Sequence, residues 1–291
     1  MGELYALGAA IVWAWAVILL QRSGESAGPF ALNLFRIGVS LPLLILTTLL
    51  AGIPLLRPAP LSDYLILLAS GVIGIAISDT LFHRSLNMVG AGISAIVGTA
   101  YSPTVVLMAF LLIGERVGAA DLVGMGLILC GILLSTSLRP PRERTRLELI
   151  EGILLGVLSI ATLAFAIVIA KPVLDRSPVL WAASVRQSGC IVALLLSTLF
   201  LRRTREAYRF FRPSPAWRFM LPAAVLGSYL SLMLWIAGMK YTLASLAAIL
   251  NQTSTIFILL LAVIFLREPL SRRKLLAAGL AIGGVLLITL T

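Results

Sequence analysis

Apolar runs of bilayer length succeed one another almost without pause from Glu3 to Leu290. A helix needs about 20 residues to cross the hydrocarbon core. Dividing the hydropathy at Gly, Pro and charge clusters yields ten such segments, near 3–21, 30–51, 64–86, 91–113, 118–138, 150–170, 178–201, 217–239, 242–266 and 273–290. No stretch remains for a soluble domain, and the composition agrees: 60% of the 291 residues are hydrophobic and 12% are charged, with a mean hydropathy of +1.05. Because the runs are continuous, they read as helices; barrel strands would be shorter and would alternate. The first segment has no basic stretch before it and carries Trp13 and Trp15, so it reads as a span and not as a cleaved leader. The expected fold class is an all-α integral membrane protein with ten transmembrane helices.

Sixteen of the 23 Lys and Arg residues fall in odd-numbered loops, among them Arg139 to Arg146, Arg202 to Arg212 and Arg267 to Lys274. Five fall in even-numbered loops: Arg57, Arg116, Lys171, Arg176 and Lys240. Cationic loops stay in the cytoplasm, so both termini are expected outside, in a bacterial inner membrane. The second half carries this assignment, since the loops between the first five segments divide their charge evenly. The net charge of +11 is accounted for by loop arginines beside an anionic leaflet, which removes the usual reason to expect a nucleic-acid partner. Cys130 and Cys190 both lie in apolar segments without metal-ligand spacing. They read as core packing, and neither a metal nor a cofactor is expected.

The chain contains its own duplicate. Shifted by 153 residues, Val72–Leu134 pairs with Val225–Leu287 without a gap. Gly74 then meets Gly227, Ser78 meets Ser231, Glu115 meets Glu268 and Gly126 meets Gly279. Upstream, Pro29 before Arg36 resembles Pro178 before Arg186. The expected organisation is a five-helix repeat at 1–138, a basic connecting loop at 139–149 and a second five-helix repeat at 150–291. Five is odd, so the second copy enters the membrane from the opposite side, and the repeats are inverted. Secondary transporters commonly use that plan, with a site near the midplane where the repeats meet.

The Trp-rich first segment "IVWAWAV", an Arg in segments 2 and 7, and "GER" and "REP" before the last segment of each half resemble the drug/metabolite transporter superfamily, EamA-type branch. The resemblance covers nearly the whole chain. It implies export of amino acids or similar metabolites through a central cavity lined by helices 1, 3, 4, 6, 8 and 9. Small multidrug-resistance relatives use a Glu in helix 1, where this chain has Trp13, Ala14 and Trp15. Sugar-phosphate relatives place cations in the cavity, where helix 9 here offers Asn251 and Gln252. Simple cationic drugs and highly charged phosphates are therefore disfavoured as substrates.

Few residues inside the spans can carry chemistry. Asp79 is the acid that lies clearly within one, and His83 and Arg84 follow it on the same helix. Intramembrane ionisable groups mark pathways, and His titrates near neutral pH, so Asp79, His83 and Arg84 read either as a gating or proton-coupling group or as a local ion pair at a helix end. Arg36 and Arg186 read as snorkelling side chains or as counter-charges for a substrate carboxylate. Glu115 and Glu268 lie in tight turns and read as caps of the helices that follow, or as partners of Arg116 and Arg272.

"GTAYS" (98–102) and "NQTST" (251–255) coincide in the repeat register. Their hydrogen-bonding groups are too costly to face lipid, so they point inward, as substrate contacts or as interhelical polar contacts. The candidate substrate-binding residues are Trp13, Ser78, Tyr101, Tyr229, Trp235, Asn251 and Gln252. Gly152/Gly156 and Gly279/Gly283 have the spacing of close helix packing.

These features converge on a secondary transporter for a small amphipathic metabolite, an amino acid or relative, working by alternating access. Its expected partners are that solute and membrane lipid, with the protein a monomer or weak homodimer. An intramembrane enzyme or lipid-modifying protein is the alternative. It would require a catalytic cluster, for which one His beside one acid is poor material.

Overall fold

The computed structural model describes residues 1–24, 28–135, 145–200, 202–265 and 272–290. Among them every regular element is helical, as a solvent without hydrogen-bonding capacity demands. The first half comprises α1 (Gly2–Gly24), α2 (Pro29–Leu50), α3 (Leu61–Gly71), a π-helical segment, π1 (Val72–Ile77), α4 (Ser78–Gly98), α5 (Tyr101–Ile113) and α6 (Ala119–Ser135). The second comprises α7 (Arg146–Arg176), α8 (Val179–Phe200), a 3-10 helix (Arg202–Phe211), α9 (Trp217–Ala223), a second π-helical segment, π2 (Ala224–Ser231), α10 (Leu232–Tyr241), α11 (Ala244–Asn251), α12 (Ser254–Phe265) and α13 (Arg272–Leu290). Six helical stretches among the described residues are long and apolar enough to cross a membrane, accompanied by four shorter apolar helices. Leu107, Leu154 and Leu199 point outward and are more than half exposed. Such a surface suits lipid and would be a liability in water.

Local chemistry sets several helix ends. Pro29 opens α2, where its missing N–H costs nothing. Thr145 and Glu148 form a reciprocal capping box at the start of α7. Gly114, at φ +69°, ends α5 in the left-handed conformation. One expected boundary differs. The sequence places a break at 87–90, whereas α4 carries its helical turns through to Gly98. Ser85 and Val97 nevertheless both press on one point: a methyl group added at Gly156 would lie 2.8 Å from Ser85 Oγ and 3.0 Å from Val97 Cγ1. Twelve residues of straight helix span ~18 Å, so α4 bends sharply between them.

The duplication recurs in the backbone. π1 and π2 overlay at the 153-residue shift, as do the two-residue turns Thr99–Ala100 and Gln252–Thr253. Packing repeats too, each half pairing with the other. α1 runs antiparallel to π2 and α10, with Ser231 Oγ donating to Ala9 O (3.1 Å) and Thr242 Oγ1 to Glu3 Oε1 (2.8 Å). α7 runs antiparallel to α3, π1 and α4 along a ladder of serines, Ser70 Oγ to Ala166 O (2.6 Å), Ser78 to Ser159, and Ser85 Oγ to Gly152 O (2.7 Å). Gly74 faces Ala166 and Leu163, and its mate Gly227 faces Ala16 and Trp13.

Close backbone approach marks two further seams. A methyl group at Gly71 would lie 1.8 Å from the Arg186 carbonyl oxygen, and one at Gly189 would lie 2.4 Å from that of Leu68, so α3 and α8 touch main chain to main chain. Gly284 and Gly124 do the same for α13 and α6. The expected Gly279/Gly283 contact is absent among the described residues: a methyl group on either would meet nothing within 4 Å. Gly152 and Gly156 pack as expected, against Val89 and Ser85. Cys190 is buried, but Cys130 is exposed on the apolar outer surface and not in the core.

Candidate functional site

A π-helical turn accepts one residue more than an α-turn and leaves a main-chain carbonyl without its usual partner. Inside a membrane that carbonyl must be satisfied. At π2, Ser228 O accepts from Gln187 Nε2 of α8 (2.6 Å). At π1, the mate of Ser228 is Ile75, whose carbonyl accepts from Asn33 Nδ2 of α2 at 3.5 Å. Both amides are fully buried. Gln187 also accepts from Ser40 Oγ (2.9 Å), which ties α2, α8 and π2 into one polar seam.

The two arginines lie on that seam. Arg36 is 4% exposed and Arg186 0%, so neither snorkels to a headgroup: each is held inside the bundle. Arg36 Nε donates to Ser228 Oγ (2.9 Å), its guanidinium lies 5.6 Å from the Trp13 ring, and the Asp79 carboxylate is within electrostatic reach. Arg186 lies 5.4 Å from the Trp235 ring, and none of its three guanidinium nitrogens has a hydrogen-bond partner among the described residues.

Asp79, His83 and Arg84 do not form one cluster. The His83 Nδ1 atom is hydrogen-bonded to the main-chain oxygen of Asp79 (2.5 Å), not to its carboxylate. Arg84 points outward to Glu151 (2.8 Å), which removes it from any pairing with Asp79. Ser78, expected in the substrate set, is instead committed to packing: Ser78 Oγ donates to Ser159 O and Ser159 Oγ to Ser78 O, both at 2.9 Å. Glu115 does cap a helix, but not the one that follows it. Its carboxylate accepts from Ala244 N (3.0 Å), Ser245 N (3.1 Å) and Ser245 Oγ (2.9 Å) at the start of α11, in the other half. Glu268 lies outside the described residues.

The breaks between α4 and α5 and between α11 and α12 meet directly, Gln252 Nε2 donating to Gly98 O (2.8 Å). Gln252 is thereby spent on an interhelical contact. Beside it, Ser102 Oγ and Asn251 Oδ1 are buried without a hydrogen-bond partner among the described residues, and the Tyr101 hydroxyl is buried with them. Tyr101 lies beside the Trp235 indole and within electrostatic reach of Arg186. Tyr229, in π2, is half-buried against the main core. The structure therefore brings Arg186, Trp235 and Tyr101 together, with Trp13 and Arg36 across the seam. No three of His, Cys, Asp and Glu group as metal ligands among the described residues.

Gln187, Ser228 and Asn33 are absent from the expected set. Buried amides within apolar spans were a visible signal, but their use depends on the π-helical turns, which no sequence period announces.

Buried donors without partners line the place where broken helices of two like halves meet. The family model described as the EamA-like transporter family matches residues 1–137 and again 150–290. An uncharacterised transporter of Archaeoglobus fulgidus is 25% identical over 297 residues, covering 99% of this chain and 97% of the relative. A solved crystal structure has the same fold, with a TM-score of 0.80 at 20% identity over 99% of this chain and 96% of its own. The protein is thus a membrane transporter. The chain belongs to the EamA-like transporter family.

Proposed function

We propose that the protein is a secondary transporter that exports a small amphipathic metabolite, an amino acid or close relative, across a bacterial inner membrane. In this reading ten crossings form two inverted five-helix repeats, and rocking of one against the other alternates access to the seam. The observation that carries it is the pair of fully buried arginines, each stacked on a tryptophan, at the place where the halves meet. Buried charge in a membrane bundle is expensive and is retained where solute passes. Tyr101, Trp235 and Asn251 supply aromatic faces and hydrogen-bonding groups for the rest of the solute. A repeated plan with antiparallel partners, α1 with α10 and α7 with α4, suits alternating access, because each half can adopt the other's tilt.

Counterflow of labelled amino acids in proteoliposomes tests this. Tyr101→Ala, Trp235→Ala and Asn251→Ala are expected to lower counterflow about tenfold or more, the equivalent of roughly 1.4 kcal/mol of lost binding each, with the yield of folded protein unchanged. Parallel loss of folded protein and activity would make these side chains helix-packing groups. Absence of counterflow across the whole amino-acid panel would overturn the substrate class.

A further inference from the structure

The two buried arginines occupy like places in the two halves and each has a tryptophan ring, yet the acid and the hydroxyl that meet Arg36 have no counterpart at Arg186. Arg36 has the Trp13 ring, the Ser228 hydroxyl and the Asp79 carboxylate. At the 153-residue shift the mates of Ser228 and Asp79 are Ile75 and Leu232, and the side chain that lies against Gly74 as Trp13 lies against Gly227 is Leu163, all apolar. The replacement is visible in space as well as in register. At Gly227 an added methyl group would meet Trp13 at 3.4 Å, whereas at its mate Gly74 it would meet Leu163 at 3.7 Å and Arg186 Nη2 at 3.6 Å. Arg186 is consequently a fully buried cation that meets no acid and no hydrogen-bond acceptor among the described residues. A buried ion is tolerated only when something neutralises and hydrogen-bonds it.

We propose that Arg186 is the anion anchor of the transport site and takes the carboxylate of the solute, while Arg36 has its partners, Asp79 and Ser228, within the protein. This rests on the transporter reading above and assigns its two cations different tasks. The Arg186 guanidinium lies over the Trp235 ring, and its N–H groups make no hydrogen bond among the described residues. The N–H edge matches the two coplanar oxygens of a carboxylate, which accept two parallel hydrogen bonds. The Tyr101 hydroxyl, buried beside the Trp235 indole, supplies a further donor, since the indole N–H can only donate to it. A methyl group on Gly98, at the adjoining break, would meet nothing within 4 Å.

The test has a ligand-free arm and a ligand arm, both on the purified full chain. Without ligand, Arg186→Met should raise the melting temperature by several degrees, because it removes a lone charge. Arg36→Met should lower it, because it strands Asp79 and Ser228. A fall in melting temperature for Arg186→Met comparable to that for Arg36→Met would mean that the protein itself satisfies Arg186, and the proposal fails.

In the ligand arm, L-leucine and L-phenylalanine at millimolar concentration should raise the melting temperature of the wild type, whereas their carboxamides and chloride should not. Arg186→Gln should lose this discrimination and Arg36→Gln should keep it. Protection by the amides or by chloride equal to that by the acids, or no protection by either acid, overturns the anchor. Counterflow separates this from the transporter reading. Leucine counterflow inhibited as strongly by leucinamide as by leucine would sink the anchor and leave the transporter standing. Protection by acids that is lost in Arg186→Gln, without any counterflow, would support the anchor and sink the transporter.

Discussion

Asp79 on α4 lies within electrostatic reach of Arg36 on α2 and of His83 one turn on, and its carboxylate makes no hydrogen bond among the described residues. A carboxylate held by charge alone can gain a proton without breaking a hydrogen bond, and the gain would leave Arg36 uncompensated. Protonation and the packing of α2 against α4 are thereby linked. Asp79→Asn mimics the protonated state, and it is expected to abolish leucine uptake driven by a pH gradient in proteoliposomes while sparing exchange of labelled for unlabelled leucine. Exchange needs only rocking with solute bound, whereas net uphill movement needs the proton. Full gradient-driven uptake in Asp79→Asn would reduce Asp79 to a fixed counter-ion. At this scale the residue types were readable from the sequence and their partners were not. Asp79, Arg36 and Arg186 stand out as polar interruptions of apolar runs, but Ser78 facing Ser159, and Arg84 facing Glu151, depend on which helix lies opposite.

Among the elements, the π-helical segments explain why polar groups gather at the seam. Each frees a carbonyl, and each is met by a buried amide from a helix of the arginine pair, Asn33 or Gln187. Just before π1, Gly71 at the end of α3 lies against the main chain of α8, which makes the two kinds of glycine in this protein separable by experiment. Gly71→Ala would force a methyl group to 1.8 Å from the Arg186 carbonyl, and overpacking of that kind costs about 3 kcal/mol or more. Most of the protein should then be lost from the monodisperse fraction on size exclusion. Gly279→Ala has open space around it and removes a flexible residue from α13, a gain of roughly 0.5–1 kcal/mol. Its melting temperature should equal or exceed that of the wild type. Similar behaviour of the two variants would mean that α3 and α8 do not touch as described. GxxxG spacing did not distinguish Gly152/Gly156 from Gly279/Gly283, because spacing shows that a helix has a small-residue face, not what covers it.

For the whole molecule, the orientation follows from loop charge. With odd-numbered loops in the cytoplasm, single cysteines placed at 139–149 and at 202–216, in a background lacking Cys130 and Cys190, should resist a membrane-impermeant maleimide in intact cells and react after permeabilisation. Ready labelling of both in intact cells would reverse the topology. The two halves present the same faces: α1 against α10, and α7 against α4, are the two versions of one contact.

By itself the sequence determined that the chain is a helical membrane bundle and that its two halves share one plan. Both follow from quantities additive along the chain: hydrocarbon admits only long apolar runs that satisfy their own backbone, and an internal duplicate is visible as identity at a fixed shift. Tertiary structure alone decided what the polar residues do. Ser228 and Ile75, and Asp79 and Leu232, are two unremarkable differences in a one-dimensional register. They become one physical fact only when packing brings the first of each pair around Arg36 and leaves Arg186 without them, because a buried charge is set by everything within a few ångströms and not by its neighbours in sequence.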